Sequence, residues 1–285
     1  MKKTITIIIL FISIQMSYAQ WTKGKGNGYF KVSGWYLQAD QHYTNNGKID
    51  PNATRSVFFT NLYGEYGITD KLDAIAFFPA LARVTQNDQI SGTTGEIIQE
   101  GEAVNSIGDL DVGFRYGIVT KGRYVLSASL LLGVPTGDDK GGSDGSFQTG
   151  DGEFNQLLKV DFGGSFSLLK KSAYFKTYLG FNQRSNGFSD ELRSGVEIGW
   201  NAVKDKLWLS TRVNILESLE NGELDATNSQ GSIFANNIEY VNAGIEASYF
   251  IQKNWGVTAH VDGAFSGRLI YAAPSIGGGI FYEIK

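Results

Sequence analysis

Few residues in this chain are of types that do chemistry. There are two histidines, His42 and His260, and no cysteine. His260 and Asp262 share one side of an alternating segment, and Ser275 falls on the segment after it. A base, an orienting acid and a hydroxyl are the parts of a hydrolase, and they must meet within ~2.6–3.2 Å. No local Gly-x-Ser-x-Gly motif supports such a site. A lone histidine on such a face is more often a hydrogen-bonding wall residue, so no catalytic residue is assigned. A second concentration lies between Pro135 and Gly152, where Asp138, Asp139, Asp144 and Asp151 are interspersed with glycines. Oxygen ligands at this density suit Ca²⁺, but the spacing is irregular, and a mobile hydrophilic loop is expected instead. The lack of cysteine removes thiolate metal sites and disulfides. Neither a metal nor a cofactor is expected.

The remaining charges are spread along the chain at alternate positions of apolar segments. They are Glu65, Asp73, Asp109, Asp111, Arg115, Arg123, Lys159, Asp161, Lys176, Arg193, Glu197, Arg212, Glu246, His260 and Asp262, with Glu191 and Glu283 beside them. The segment Gly108–Val119 shows the pattern best. Leu110, Val112, Phe114, Tyr116 and Ile118 alternate with Asp111, Gly113, Arg115 and Gly117. After Thr120–Arg123 the alternation resumes from Tyr124 to Val134. Period two is a strand signal. An apolar face backed by one of charges and glycines matches a transmembrane β-barrel, apolar toward lipid and polar toward the lumen. These charges are therefore expected to line a lumen.

The rest of the chain extends this reading. Met1-Lys-Lys3, an apolar run from Ile5 and Ser17-Tyr-Ala19 form a secretory signal peptide over residues 1–19, followed by one domain over 20–285. The formal charge is −4, and loss of Lys2 and Lys3 makes it two units more negative, so no cationic surface points to nucleic acid. No later apolar run approaches the ~20 residues of a membrane helix. Glycine, at 36 of 285 residues, and 13 % aromatics favour curved sheet over helix.

Twelve antiparallel strands are expected, at about 28–39, 55–68, 72–84, 108–119, 124–134, 154–169, 173–182, 191–201, 207–216, 238–250, 255–265 and 272–283. Short turns at Asp70, Lys121, Lys171, Lys204 and Lys253 alternate with longer connections that start near Asp40, Thr85, Pro135, Gly187, Glu217 and Ser266. Even strand number, short periplasmic turns and longer extracellular loops are the asymmetry of an outer-membrane barrel. Pro79 lacks a ladder donor and is expected to mark a bulge or the rim. Closure must pair the first strand with the last, because an open edge in hydrocarbon costs several kcal/mol per unpaired group. Tyr63, Tyr174, Tyr178, Trp208 and Phe281 also fall on the lumen side.

Ile107-Gly-Asp-Leu-Asp-Val-Gly-Phe-Arg-Tyr-Gly117, followed by Gly133-Val-Pro-Thr-Gly-Asp138, resembles the outer-membrane transporter family named for the meta pathway of phenol degradation. That family is similar to the uptake barrels for hydrophobic compounds and fatty acids. Gly180-Phe-Asn182 fits the same pattern. Only Gln20–Asn27 precede the first strand, too few for the plug of fatty-acid channels, and the chain ends Phe281-Tyr-Glu-Ile-Lys285 without a terminal aromatic. The resemblance implies passive or facilitated diffusion of small molecules, hydrophobic ones included, across the outer membrane. The partners so implied are outer-membrane lipid, a small solute and the barrel-assembly machinery. The alternative is a structural or surface-interaction barrel whose lumen is sealed by ion pairs. An embedded hydrolase is the remaining reading, and it requires His260 to meet Ser275 or another hydroxyl.

Overall fold

Period-two alternation carries the backbone into strands almost throughout. The computed structural model describes residues 22–51, 55–219 and 231–285. The proposed leader lies outside the described residues. The strands are β1 (Gly28–Ala39), β2 (His42–Tyr43), β3 (Ile49–Asp50), β4 (Arg55–Gly67), β5 (Leu72–Gln86), β6 (Gln89–Ile90), β7 (Ile97–Gln99), β8 (Glu102–Ser106) and β9 (Leu110–Val119). They continue as β10 (Tyr124–Val134), β11 (Asn155–Leu168), β12 (Lys171–Arg184), β13 (Glu191–Val203), β14 (Leu207–Ser218), β15 (Glu239–Phe250), β16 (Trp255–Arg268) and β17 (Pro274–Ile284).

Twelve of them, β1, β4, β5 and β9 to β17, form one antiparallel sheet closed on itself. The closing ladder runs from Gly28 opposite Ile284 to Leu37 opposite Ser275. On its other side β1 pairs with β4 over its full length. The two-stranded β2–β3 and β6–β7 hairpins belong to the long loops. The fold is thus the twelve-stranded outer-membrane type. Its sidedness is inverted relative to a soluble protein. Val32, Leu130, Leu158, Leu179, Ile245, Ile276 and Ile280 are exposed, whereas Asp73, Arg115, Asp161 and Glu191 are buried. Apolar side chains facing out over buried, paired ions suit lipid outside and a polar interior.

Local chemistry explains the irregular places. Asn61 pairs with Pro79 and Thr60 with Leu81, so Ala80 is an extra residue in β5. This is the bulge that proline forces where a ladder donor is missing. Beyond it β5 changes partner. Its first half pairs with β9 and its last five residues with β8. Gly108 bridges the change by donating its N–H to the Pro79 carbonyl at 2.8 Å. A Cβ on Gly108 would lie 2.6 Å from the Pro79 Cβ, so no larger residue fits without a shift.

The β11–β12 turn was expected at Lys170-Lys171-Ser172, but it is one residue earlier. Leu169 and Lys170 both adopt positive φ, 52° and 62°, as a two-residue primed hairpin turn demands. Neither residue carries the usual Asn-Gly signal, so residue order does not mark this turn.

Candidate functional site: an ion-paired interior under an inward-folded loop

Of the charges expected at a lumen, all but Asp109 and Arg123 lie in barrel strands. The structure brings most of them together in pairs. Near the short turns, Arg115 Nη2 reaches Asp73 Oδ2 at 2.7 Å and Glu65 Oε2 at 2.9 Å. Lys23 adds a second cation 3.0 Å from Glu65, whose carboxylate also accepts the Tyr63 hydroxyl. Around the wall, Lys159 pairs with Asp161 at 3.1 Å and Lys176 with Glu197 at 3.1 Å. The Tyr174 hydroxyl donates to Glu197 at 2.6 Å, and the Tyr174 ring packs on Trp208. Arg212 grips Asp262 with two bonds of 2.8 and 2.7 Å. That pair spans the intervening strand at Gly244, which opposes both residues in register. A Cβ there would collide with the Asp262 carboxylate. Asp111 lies within electrostatic reach of Arg193, which pairs with Glu191 at 2.6 Å.

Arg123 corrects the expectation. It is exposed in the β9–β10 turn, donates to the Ser165 carbonyl at 3.2 Å and lies over the Tyr124 ring. β10 begins only at Tyr124, so inward–outward alternation does not yet apply to Arg123. Asp109 immediately precedes β9 and serves the loop 135–154. One carboxylate oxygen accepts the Gly137 N–H and the other the Asp151 N–H, each at 2.9 Å.

That loop is the second correction. A mobile hydrophilic segment was expected, but Phe147 and Thr149 have no exposed surface and Glu153 almost none. Phe147 packs with Leu37, Ala39, Val57, Phe59, Ala82 and Val84. These residues share the parity of the inner faces of β1, β4 and β5, so the loop enters the barrel from the long-loop end. Two arginines absent from the expected set hold it. Arg55 donates to the Ser146 carbonyl at 2.7 Å and to the Ser146 hydroxyl, with its guanidinium 4.8 Å from the centre of the Phe147 ring. Arg184 reaches Glu153 at 2.8 Å, Glu191 at 2.8 Å and Asp151 at 3.0 Å. Arg184 shares parity with Tyr178 and Asn182, and it lies two residues beyond the expected end of its strand. Arg55 shares parity with Val57 and Phe59.

The loop's carboxylates are shifted accordingly. Burial pushes Asp151 up to about 6, opposed by Arg184 and reinforced by Asp109. Burial raises Asp109 as well, against the two N–H bonds that it accepts.

Beneath the loop a cavity of about 340 Å³ opens. Tyr29, Trp35, Tyr63 and Phe77 give it aromatic surface, Lys31, Arg212, Glu246 and His260 give it charge, and Ser33 and Asn61 complete it. The size is within the range of small-ligand sites. The hydrolase arrangement is not assembled here. Ser275 pairs in register with Asp262, and its hydroxyl donates to the Asp262 carbonyl at 3.4 Å. His260 lies instead against Gly277.

No protein-family model matches the sequence, and no curated protein matches it. Solved structures do. A crystallised outer-membrane channel from Pseudomonas putida F1 is similar with a TM-score of 0.64 and 15 % identity, over 95 % of this chain and 100 % of that one. The NanC porin is similar at 0.52 and 9 %, over 90 % and 100 %. The β domain of the Bordetella autotransporter BrkA is similar at 0.50 and 15 %, over 91 % and 100 %. At such identities the likeness is one of fold. The class it defines with the closed sheet is the outer-membrane β-barrel.

Proposed function

We propose that this chain is an outer-membrane channel passing small solutes by passive or facilitated diffusion. The observation that carries the reading is the cavity of about 340 Å³ on the inner face of the closed twelve-stranded wall. The charges around the inner face line the path, and the loop 135–154 narrows it at the extracellular end. Solute selectivity then depends on the constriction and on the groups lining it. The leader over residues 1–19 directs export, the barrel-assembly machinery inserts the chain, and outer-membrane lipid covers its apolar face. Gly108-Asp109 and Pro135-Thr136-Gly137 support placement with the phenol-degradation type of transporter. The similarity in fold to a channel and a porin agrees with conduction.

The test is single-channel recording of the purified chain in a planar bilayer. Discrete conductance steps are expected, larger when residues 138–149 are replaced by a short Gly-Ser bridge. Absence of current from both proteins, together with no solute flux into liposomes, overturns the channel and leaves the ion-sealed barrel.

A further inference from the structure

The cavity differs from the rest of the interior in how loosely its ions are held. Elsewhere the pairs close to 2.6–3.1 Å, the range of charge-assisted hydrogen bonds or just beyond it, and at the cavity wall Arg212 keeps such a pair with Asp262. Glu246 Oε2 instead has Lys31 Nζ at 3.5 Å, Arg212 Nη1 at 3.6 Å and His260 Nδ1 at 3.8 Å. Three donors thus surround one oxygen, and none makes a tight bond to it. Two residues of its lining, Asn61 and His260, each hold a polar atom, Oδ1 and Nδ1, that is shut off from solvent and has no hydrogen-bond partner in the protein. Buried polar atoms are almost always satisfied, so two beside one cavity call for an external partner.

The chemistry of that partner follows from the walls. Lys31 and Arg212 are offset by Glu246 and Asp262, so the formal charges cancel and a charged solute gains no net attraction. The open functions include acceptors, Asn61 Oδ1 and Glu246 Oε2, and donors, Lys31 and Arg212. A hydroxyl both donates and accepts, and several are needed to meet groups on β1, β4, β14, β15 and β16. Beside Lys31, Trp35, Tyr63 and Phe77 offer apolar ring surface. On the inner face of β17, Gly277 and Gly279 carry no side chain, and His260 and Ser33 occupy the room that a Cβ would take.

We infer that the cavity is a binding site for an uncharged, polyhydroxylated ring. One face of the ring rests on the aromatic wall, and its hydroxyls join Asn61, Glu246, Lys31 and His260. This names the solute class of the proposed channel and rests on that reading for passage, though not for binding.

The test measures both. The full chain in detergent micelles is titrated with myo-inositol, glucuronate and phenol, with tryptophan fluorescence as the readout and Trp35→Phe locating the signal. Myo-inositol is expected to bind about tenfold more tightly than either other probe, equivalent to about 1.4 kcal/mol. Asn61→Leu and Glu246→Gln should each weaken it by roughly three- to tenfold, the loss of one net hydrogen bond. Folding of each variant is checked by heat-modifiable migration in gels, and Asn61→Ser replaces Asn61→Leu if the latter does not fold. Tighter binding of phenol or glucuronate, no binding of myo-inositol, or no effect of the substitutions overturns the inference. In bilayers, current that myo-inositol does not block in a chain that does not bind it leaves the channel standing and removes the site. Binding without current in any condition removes the channel and keeps the site.

Discussion

Arg184 holds three carboxylates with one guanidinium, and its side chain is almost wholly buried. Its removal leaves Glu153 as an uncompensated buried charge and leaves Glu191 with Arg193 alone. Breaking a buried pair in this way costs about 3–5 kcal/mol, so Arg184→Ala should lower unfolding stability by that order. Urea unfolding followed by tryptophan fluorescence checks it, and an unchanged midpoint would show the network to be dispensable. Asp109 and Asp151 add a pH dependence at the same scale. Both carboxyls are raised in the fold, Asp151 to about 6. A raised carboxyl holds its proton more firmly in the folded loop than in an unfolded chain. Its stabilisation is therefore full below about 4 and is lost as pH rises through about 6. The constriction should tighten on acidification, so conductance should fall between pH 7 and pH 4. Asp151→Asn should flatten that dependence, and an unchanged pH profile in this variant would exclude the carboxyl pair as its cause.

At the scale of the element, two features are set by the backbone. The β11–β12 turn places Leu169 and Lys170 in the left-handed region, which costs a non-glycine residue roughly 1–2 kcal/mol. The double substitution Leu169→Asn with Lys170→Gly keeps the turn and relieves that cost. It should raise stability by about 1–2 kcal/mol, read as a higher urea midpoint. A lower midpoint would mean that the exposed Leu169 is anchored by something other than the turn. The outer loop is the other feature. Its sequence reads as hydrophilic linker, yet Phe147 finds an apolar patch on β1, β4 and β5. That patch exists only because three separate strands bring Leu37, Val57 and Val84 to one place.

At the scale of the molecule, inside and outside are exchanged relative to a soluble fold. Val160 is exposed on the outer face midway along β11, where lipid is expected. Val160→Arg should destabilise the barrel by about 2–4 kcal/mol in bilayer or micelle, the cost of a cation near the hydrocarbon midplane. A neutral effect on folding into liposomes would argue against a lipid-facing wall. Closure serves the same end, since β1 against β17 gives each of the twelve wall strands a neighbour on both sides.

The alternation, the strand number and the face of the charges within strands were legible from residue order, whereas Arg123, in a turn, was not. Period two is a local property, and membrane barrels use it along each strand between bulges. Pro79 even marked its bulge, because the missing donor travels with the residue. What only the tertiary structure decided is how the interior is paired and filled. Which arginine meets which carboxylate depends on ladder register between strands far apart in sequence, as with Arg212 and Asp262 across Gly244. The inward course of the loop 135–154 depends on Arg55, Arg184 and Asp109 converging from three places. The cavity depends on what the loop leaves unfilled. Alternation assigns a residue to a face, but it carries no information on height along the barrel or on what lies opposite.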